Sequence, residues 1–416
     1  MSDSTAATQM ATSSSSYSLS NAVKSALVNN PRIKSASYSV KAAKHAKWQG
    51  TANLLPDVTL NANAELDHKH SGIGKDNSNP HDVNLAFSQP IVDFKAFAIR
   101  LRAAPVLLAA EYDFEVVKQK VMLEAANVFL KLLESNKLAE LTKKNHDLTQ
   151  KHLFATKERF QLGDLTRVDV SQASSRFASA KAIWKRSLKT IANSEDVFIE
   201  IVGDLPKGTL LFPGIKTEAF EKRFISSESD IADRPDVLSE EARLKIAQKE
   251  LAIEKSEFFP TVELSGKGDR EWKSREIIGG DKMDGYTVGV GISVPIFGGG
   301  IRVAKTLEAK AKMKGKEFDL AVVKRRAVRE IKNALNDLDN ARDVYETYTD
   351  GVISARDALD GVEEEFKVGS RTALDVLDAQ NELFNSEKDQ LTSHFDIVRS
   401  RVKLLWAIGI LSLDNL

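Results

Sequence analysis

The sequence predicts an α+β chain built from two copies of one unit, in which a β-hairpin is carried on very long helices. Three observations predict it. Paired stretches place apolar residues at every second position, longer runs of about 65 residues keep a helical period, and landmarks recur about 205 positions apart.

The chain opens on Met1 to Ser16, rich in Ser, Thr and Ala, without an apolar core of the length a signal peptide needs; it reads as a disordered leader. A first repeat follows over 17–202, with a helix, a hairpin over about 57–91 and a long helical hairpin whose tip lies near 163. In Val58 to Leu66 the apolar positions Val58, Leu60, Ala62, Ala64 and Leu66 alternate with Thr59, Asn61, Asn63 and Glu65. The partner strand sets Val83, Leu85 and Phe87 on one face, and Asp67 to Asp82 reads as a polar connecting loop.

From Phe94 towards Phe160 apolar residues recur every three or four positions, as in Phe97, Leu101, Leu108, Tyr112, Val116, Leu123, Leu130 and Leu133. A helix of that length reaches on the order of 100 Å and needs neighbours along its whole course, as in a coiled coil or a barrel of helices. Pro105 falls inside it and is expected to kink it. The segment 203–235, with Pro206, Pro213 and Pro235 among glycines, reads as a linker or equatorial segment.

The second repeat, 236–416, holds a helix, a hairpin over about 261–296 and a helical hairpin with its tip near 369. Val262 and Leu264 alternate with Glu263 and Ser265, and Tyr286, Val288, Val290, Ile292 and Val294 form the cleanest strand in the chain, with a loop at about 269–285 between them. Pro56 matches Pro260, Pro90 matches Pro295 and Gly163 matches Gly369. At each tip a glycine follows the helix end, and Thr166 with Asp169, or Thr372 with Asp375, has the spacing of a capping box opening the next helix.

Composition narrows the function. The 59 basic and 59 acidic residues cancel, which gives no sign of nucleic acid as a partner, and the absence of cysteine excludes disulfides, thiolate metal sites and a cysteine nucleophile. No window is apolar for the 18 residues of a spanning helix, so any membrane crossing must use strands. Four strands cannot close a barrel, and an open sheet edge is too costly in lipid, so insertion requires an oligomer.

His68, His70 and His81 share a segment but lack the spacing of a metal site. Gly298 to Gly300 lacks the lysine and hydroxyl of a phosphate loop, and Lys324, Arg325, Arg326 and Arg329 read as a solvated helix face. No cofactor, metal or enzymatic constellation emerges.

Asn29-Asn30-Pro31, Leu54-Leu55-Pro56, Gln89-Pro90-Ile91, Val294-Pro295-Ile296-Phe297-Gly298-Gly299, and Val368 to Thr372 followed by Leu374 to Gln380 resemble the TolC family of outer-membrane efflux and type I secretion ducts, over about Tyr17 to the C-terminus. The resemblance implies a homotrimer in the outer membrane of a Gram-negative bacterium, extending into the periplasm. Each protomer would give four strands to a twelve-stranded β-barrel and its helical hairpins to a trimeric α-barrel tunnel.

It further implies a periplasmic adaptor and an inner-membrane ABC or proton-driven transporter as partners, and outer-membrane lipid around the barrel. Asp375 and Asp378 match acidic positions that constrict the entrance, and Arg371 with Asp169 matches a pair that links the two hairpins and holds the tip closed. Leu162, Gly163, Asp164 and Leu165, with Val368, Gly369 and Ser370, match the tips that adaptors cap. Phe366 departs from the pattern, standing where a tyrosine hydroxyl often completes the latch. The residues by themselves also permit a soluble periplasmic coiled-coil adaptor or binding protein.

Overall fold

The structure, a computed structural model, describes residues 16–71, 74–78, 81–215, 217, 231–272 and 282–415. After β1 (Ser16–Tyr17) come α1 (Leu19–Asn29) and α2 (Pro31–Ala52), then β2 (Asp57–Ala64), β3 (Asp67–Ser71), β4 (Gly74–Ser78) and β5 (His81–Val92). The first helical hairpin is α3 (Phe94–Gln161) and α4 (Arg167–Val202). Then follow β6 (Thr209–Leu210), α5 (Pro235–Ser256), β7 (Thr261–Trp272) and β8 (Lys282–Ser293), and the second hairpin, α6 (Ile301–Lys367) and α7 (Ala373–Ile408).

The expected leader falls outside the described residues except for Ser16, which pairs with Thr209 of β6. The loop expected at 67–82 is corrected. Asp67–Ser71 and Gly74–Ser78 instead form β3 and β4, paired antiparallel from Asp67 opposite Ser78 to Ser71 opposite Gly74. These residues are almost all polar, so pairing leaves no alternating apolar trace in the sequence. Likewise β7 and β8 continue to Trp272 and Lys282, shortening the loop expected at 269–285. Helix α3 runs through Pro105 as one helix.

The chain divides into two compact units, one of residues 1–36, 114–235 and 324–416, the other of 37–113 and 236–323. Both sequence repeats contribute to each unit, so neither repeat is by itself a compact body. The second unit holds a four-stranded sheet of order β2-β5-β7-β8, antiparallel throughout, in which the two sequence hairpins join through β5 and β7. Pro90 lacks an N–H, and the register slips there: Pro90 opposes Glu263 and Val92 opposes Val262, leaving Ile91 as a bulge.

The register gathers most of the apolar side chains on one face, which also carries Gln89 and the Arg270–Asp284 pair. Val58 and Leu60 align with Phe87 and Leu85, these with Gly266 and Gly268, and these with Val288 and Tyr286, all on one face. The other face carries Asn61, Asn84, Ser88, Glu263 and Thr287. On it the Asn61 amide donates to Asn84 Oδ1 at 3.0 Å, and the Ser88 hydroxyl donates to Glu263. Apolar residues on the first face are left exposed, Tyr286 at 87% and Val290 at 66%. Helix packing in this unit uses small side chains: Ala96, Ala98, Ala103, Ala109, Ala242 and Ala247 are buried, and at Gly50 an added Cβ would lie 3.4 Å from Arg100 Cα and 3.5 Å from Ala103 Cβ.

The first unit has a core of larger residues. Leu19, Val23 and Ala26 of α1 meet Met122, Phe129, Leu130 and Leu133 of α3, Phe198 of α4 and Phe395, Val402 and Leu405 of α7. Tyr17 joins it, its ring 6.4 Å from Phe129 and 6.3 Å from Phe198. Asn30, before Pro31, ends α1 in extended backbone, and its side chain ties the break down by donating to Ile201 O at 3.0 Å and accepting from the Arg32 N–H at 2.9 Å. Residues of the 203–235 segment belong to this unit, with Ile215 and Ile231 buried and Arg234 donating to Glu330 at 2.7 Å. Because Phe129 is fully buried among α1, α4 and α7, Phe129→Ala should cost about 3–5 kcal/mol, read as a lowered unfolding midpoint in denaturant.

Candidate functional site

The two tips are built alike. At the first, α3 ends in a Schellman turn: the Gly163 N–H donates to Phe160 O at 3.1 Å and the Asp164 N–H to Arg159 O at 3.0 Å. The second repeats it, with Gly369 donating to Phe366 O at 3.1 Å and Ser370 to Glu365 O at 2.9 Å. Both glycines have positive φ, +88° and +82°, and a Cβ at either would meet nothing within 4 Å. Backbone handedness, not crowding, therefore selects glycine there. Leu162 and Val368, at matching places, are 78% and 81% exposed.

Each turn runs into a reciprocal capping box. Asp169 Oδ2 accepts from the Thr166 N–H at 2.7 Å and the Asp169 N–H donates to Thr166 Oγ1 at 3.3 Å; Asp375 does the same with Thr372, at 2.8 and 3.3 Å. The hydrogen bonds from the threonine backbone and hydroxyl hold both carboxyls below the usual aspartate range, and Arg371 adds a smaller pull on Asp375. Both caps therefore contribute stability above the ordinary aspartate range and lose it as the pH falls through the lowered values.

The sequence-predicted pair of Arg371 with Asp169 is not formed in the protomer, which corrects that expectation. Arg371 Nε instead donates to Glu365 Oε2 at 2.6 Å within its own hairpin, and Asp169 is engaged by its cap. Each of the two side chains has a partner close by in the chain. The two hairpins are joined by other residues: Arg176 of α4 donates to Asp378 of α7, and the Arg159 guanidinium lies 5.1 Å from the centre of the Phe366 ring. Phe366 thus takes part through its ring face, without a hydroxyl.

At the Arg159–Phe366 contact lies a cavity of about 270 Å³, lined by His152, Thr156, Arg159, Leu165, Glu363 and Phe366 among others. Leu377, which lines it, also packs with Leu153 and Ala173, and Phe177 lies against them. Sequence reasoning missed Arg176, Arg159 and His152. Arg176 carried a usable signal, lying two helical turns beyond Asp169 on the same face of α4; the other two have none apart from helical period. Among the described residues no group of His, Cys, Asp and Glu is placed to hold a metal ion, and no helix is long and apolar enough to cross a membrane.

An amphipathic sheet with an exposed apolar face, joined to long paired helices that end in charged tips, defines the class of outer-membrane export channels. Residues 22–184 and 228–409 match the family model described as outer membrane efflux protein, and the chain belongs to that family. It is 28% identical over 307 residues to the outer membrane efflux protein BepC of Brucella suis biovar 1 (strain 1330), which covers 72% of this chain and 65% of that protein. It is 25% identical over 391 residues to the outer membrane protein TolC of Vibrio cholerae serotype O1, covering 92% and 89%.

Its fold is similar to that of the Campylobacter jejuni CmeC outer membrane channel, with a TM-score of 0.82 at 18% identity over 94% of this chain and 85% of that one. The protein is an outer-membrane exit duct for efflux or type I secretion, in the Gram-negative outer membrane and extending into the periplasm. The soluble adaptor reading is not favoured. For the first tip, Thr166→Ala should cost about 1 kcal/mol locally, seen as faster amide hydrogen exchange confined to the first turn of α4.

Proposed function

We propose that three copies of the chain close their sheets into one twelve-stranded barrel, and that their helices form a periplasmic α-barrel tunnel through which substrates pass passively. The observation that carries this reading is the sheet itself. Its two faces are largely sorted by polarity, its apolar residues are exposed, and among the described residues its edge strands β2 and β8 each have one neighbour. Lipid outside and water inside match those faces, and closure satisfies both edges.

Substrates enter from an inner-membrane ABC or proton-driven transporter. A periplasmic adaptor links that pump to the duct at the tips formed by Leu162 to Leu165 and Val368 to Ser370, whose exposed Leu162 and Val368 offer apolar contacts around glycine turns. The duct performs no chemistry.

At the tip, Asp375 and Asp378 take different parts. The cap keeps Asp375 ionised, so three copies around the axis favour cations and resist anions. Asp378 is offset by Arg176, and this pair, with Arg159 over Phe366, is the latch between hairpins. As an exposed ion pair it is worth about 0.2–1 kcal/mol in each protomer.

In detergent the protein should run as three chains per particle and conduct ions in planar bilayers; a monomer that stays soluble without detergent and never conducts contradicts the reading. Asp375→Ala should reduce cation preference more than Asp378→Ala does. Arg176→Ala should raise conductance, whereas Arg371→Ala should leave it nearly unchanged. The reverse order for the two arginines would return the latch to Arg371.

A further inference from the structure

One contact between the hairpins is made by a titratable group. The Nε2 atom of His152, on α3, lies 2.6 Å from Nε2 of Gln380 on α7, and the same amide nitrogen lies 3.5 Å from Oε1 of Glu363 on α6. Gln380 is only 6% exposed, and its Oε1 is buried without a hydrogen-bond partner among the described residues.

The carboxylate of Glu363 only accepts hydrogen bonds, so it fixes the amide with its nitrogen inward. The imidazole Nε2 must then accept, which requires a neutral ring with its proton on Nδ1. A proton added at Nε2 would face the amide N–H. Turning the amide would offer Oε1 to the ring but set that oxygen against the Glu363 carboxylate. Both orientations leave two groups of like polarity in contact at a buried position.

We infer that His152 is a positioning residue that clips the first helical hairpin to the second only while its imidazole is neutral, so that acidification releases the tip. The inference rests on the duct reading for its functional consequence. Around the ring, α6 presents Glu363 and Lys367, and α3 itself presents Arg159. Lys367 is held by Glu364 at 2.7 Å, and Arg159 lies over Phe366. The α7 groups at the cavity, Ala373, Val376 and Leu377, are neutral, as are Leu165 of the first tip and the α4 residues Ala173 and Phe177 packed beside Leu153.

Burial lowers the His152 pKa from its ordinary value, and the nearby Glu363 charge opposes this with a smaller effect. The sign agrees with the geometry. A ring whose pKa is lower when clipped than when free favours the clipped state at neutral pH and loses that preference as pH falls.

The test compares the full-length protein with His152→Asn and Glu363→Gln in planar bilayers between about pH 7.5 and pH 5. In the same proteins, the distance between spin labels at Glu158→Cys on α3 and Asn381→Cys on α7 is measured in detergent; the chain has no cysteine of its own. With native His152, conductance should rise at least about twofold on acidification and the label distances should lengthen and broaden.

His152→Asn should show neither response. Glu363→Gln, which frees the amide to turn and accept from a protonated ring, should lose the response or move it to lower pH. An unchanged acid response in His152→Asn, or none with native His152, overturns the inference. Absence of conductance at every pH in all three proteins would count against the duct reading, while the label distances would still decide the clip.

Discussion

A backbone amide in hydrocarbon must find its acceptor within protein, because no water is present to supply one. The sheet of this chain meets that demand only at its centre. Strands β5 and β7 are paired on both sides, whereas β2 and β8 are paired on one. Four strands are too few to close on themselves, so the unpaired rows of β2 and β8 must be met by other chains wherever the apolar face meets lipid. Much of the remaining architecture follows from this requirement. The duplication supplies two hairpins per chain.

The two units handle burial differently. Around the sheet, helices approach through Gly50 and alanines, which favours close backbones and slender seams. In the other unit, Phe129, Phe198 and Phe395 concentrate large side chains among α1, α3, α4 and α7. The tips then rely on local devices. Schellman turns and capping boxes satisfy the backbone within each hairpin, so the hairpins can separate without breaking the turns that end them. Near the tips one hairpin meets the other through Arg176 with Asp378, Arg159 with Phe366 and His152 with Gln380, beside the apolar contact of Leu153 and Ala173 with Leu377.

Features set by near neighbours in the chain were legible in the sequence. The alternation from Tyr286 to Ile292 lies within β8, and the capping spacing of Thr166 and Asp169 and the glycines at 163 and 369, which each act within a few residues, appear where the sequence places them. Partners far apart in the chain were not legible. Asp378 finds Arg176 across 202 positions, and Gln380 finds His152 across 228, through the packing of helices that no local period encodes. Within the protomer Arg371 and Asp169 instead take partners near in the chain, Glu365 and Thr166. Strands β3 and β4 escaped notice because their sequence is almost entirely polar and leaves no apolar alternation to read.

Closure of β2 of one copy onto β8 of the next is the central claim, and cysteine cross-linking tests it most directly. Within one protomer those strands are separated by β5 and β7, about 14 Å at ordinary strand spacing, too far for a disulfide. With one cysteine at Asn61 on β2 and a second stepped along β8 from Thr287 to Gly291, oxidation in membranes should give a covalent ladder ending at three chains, at one register of the second position. A product that stays at one chain at every register, or one that extends beyond three, would contradict the account.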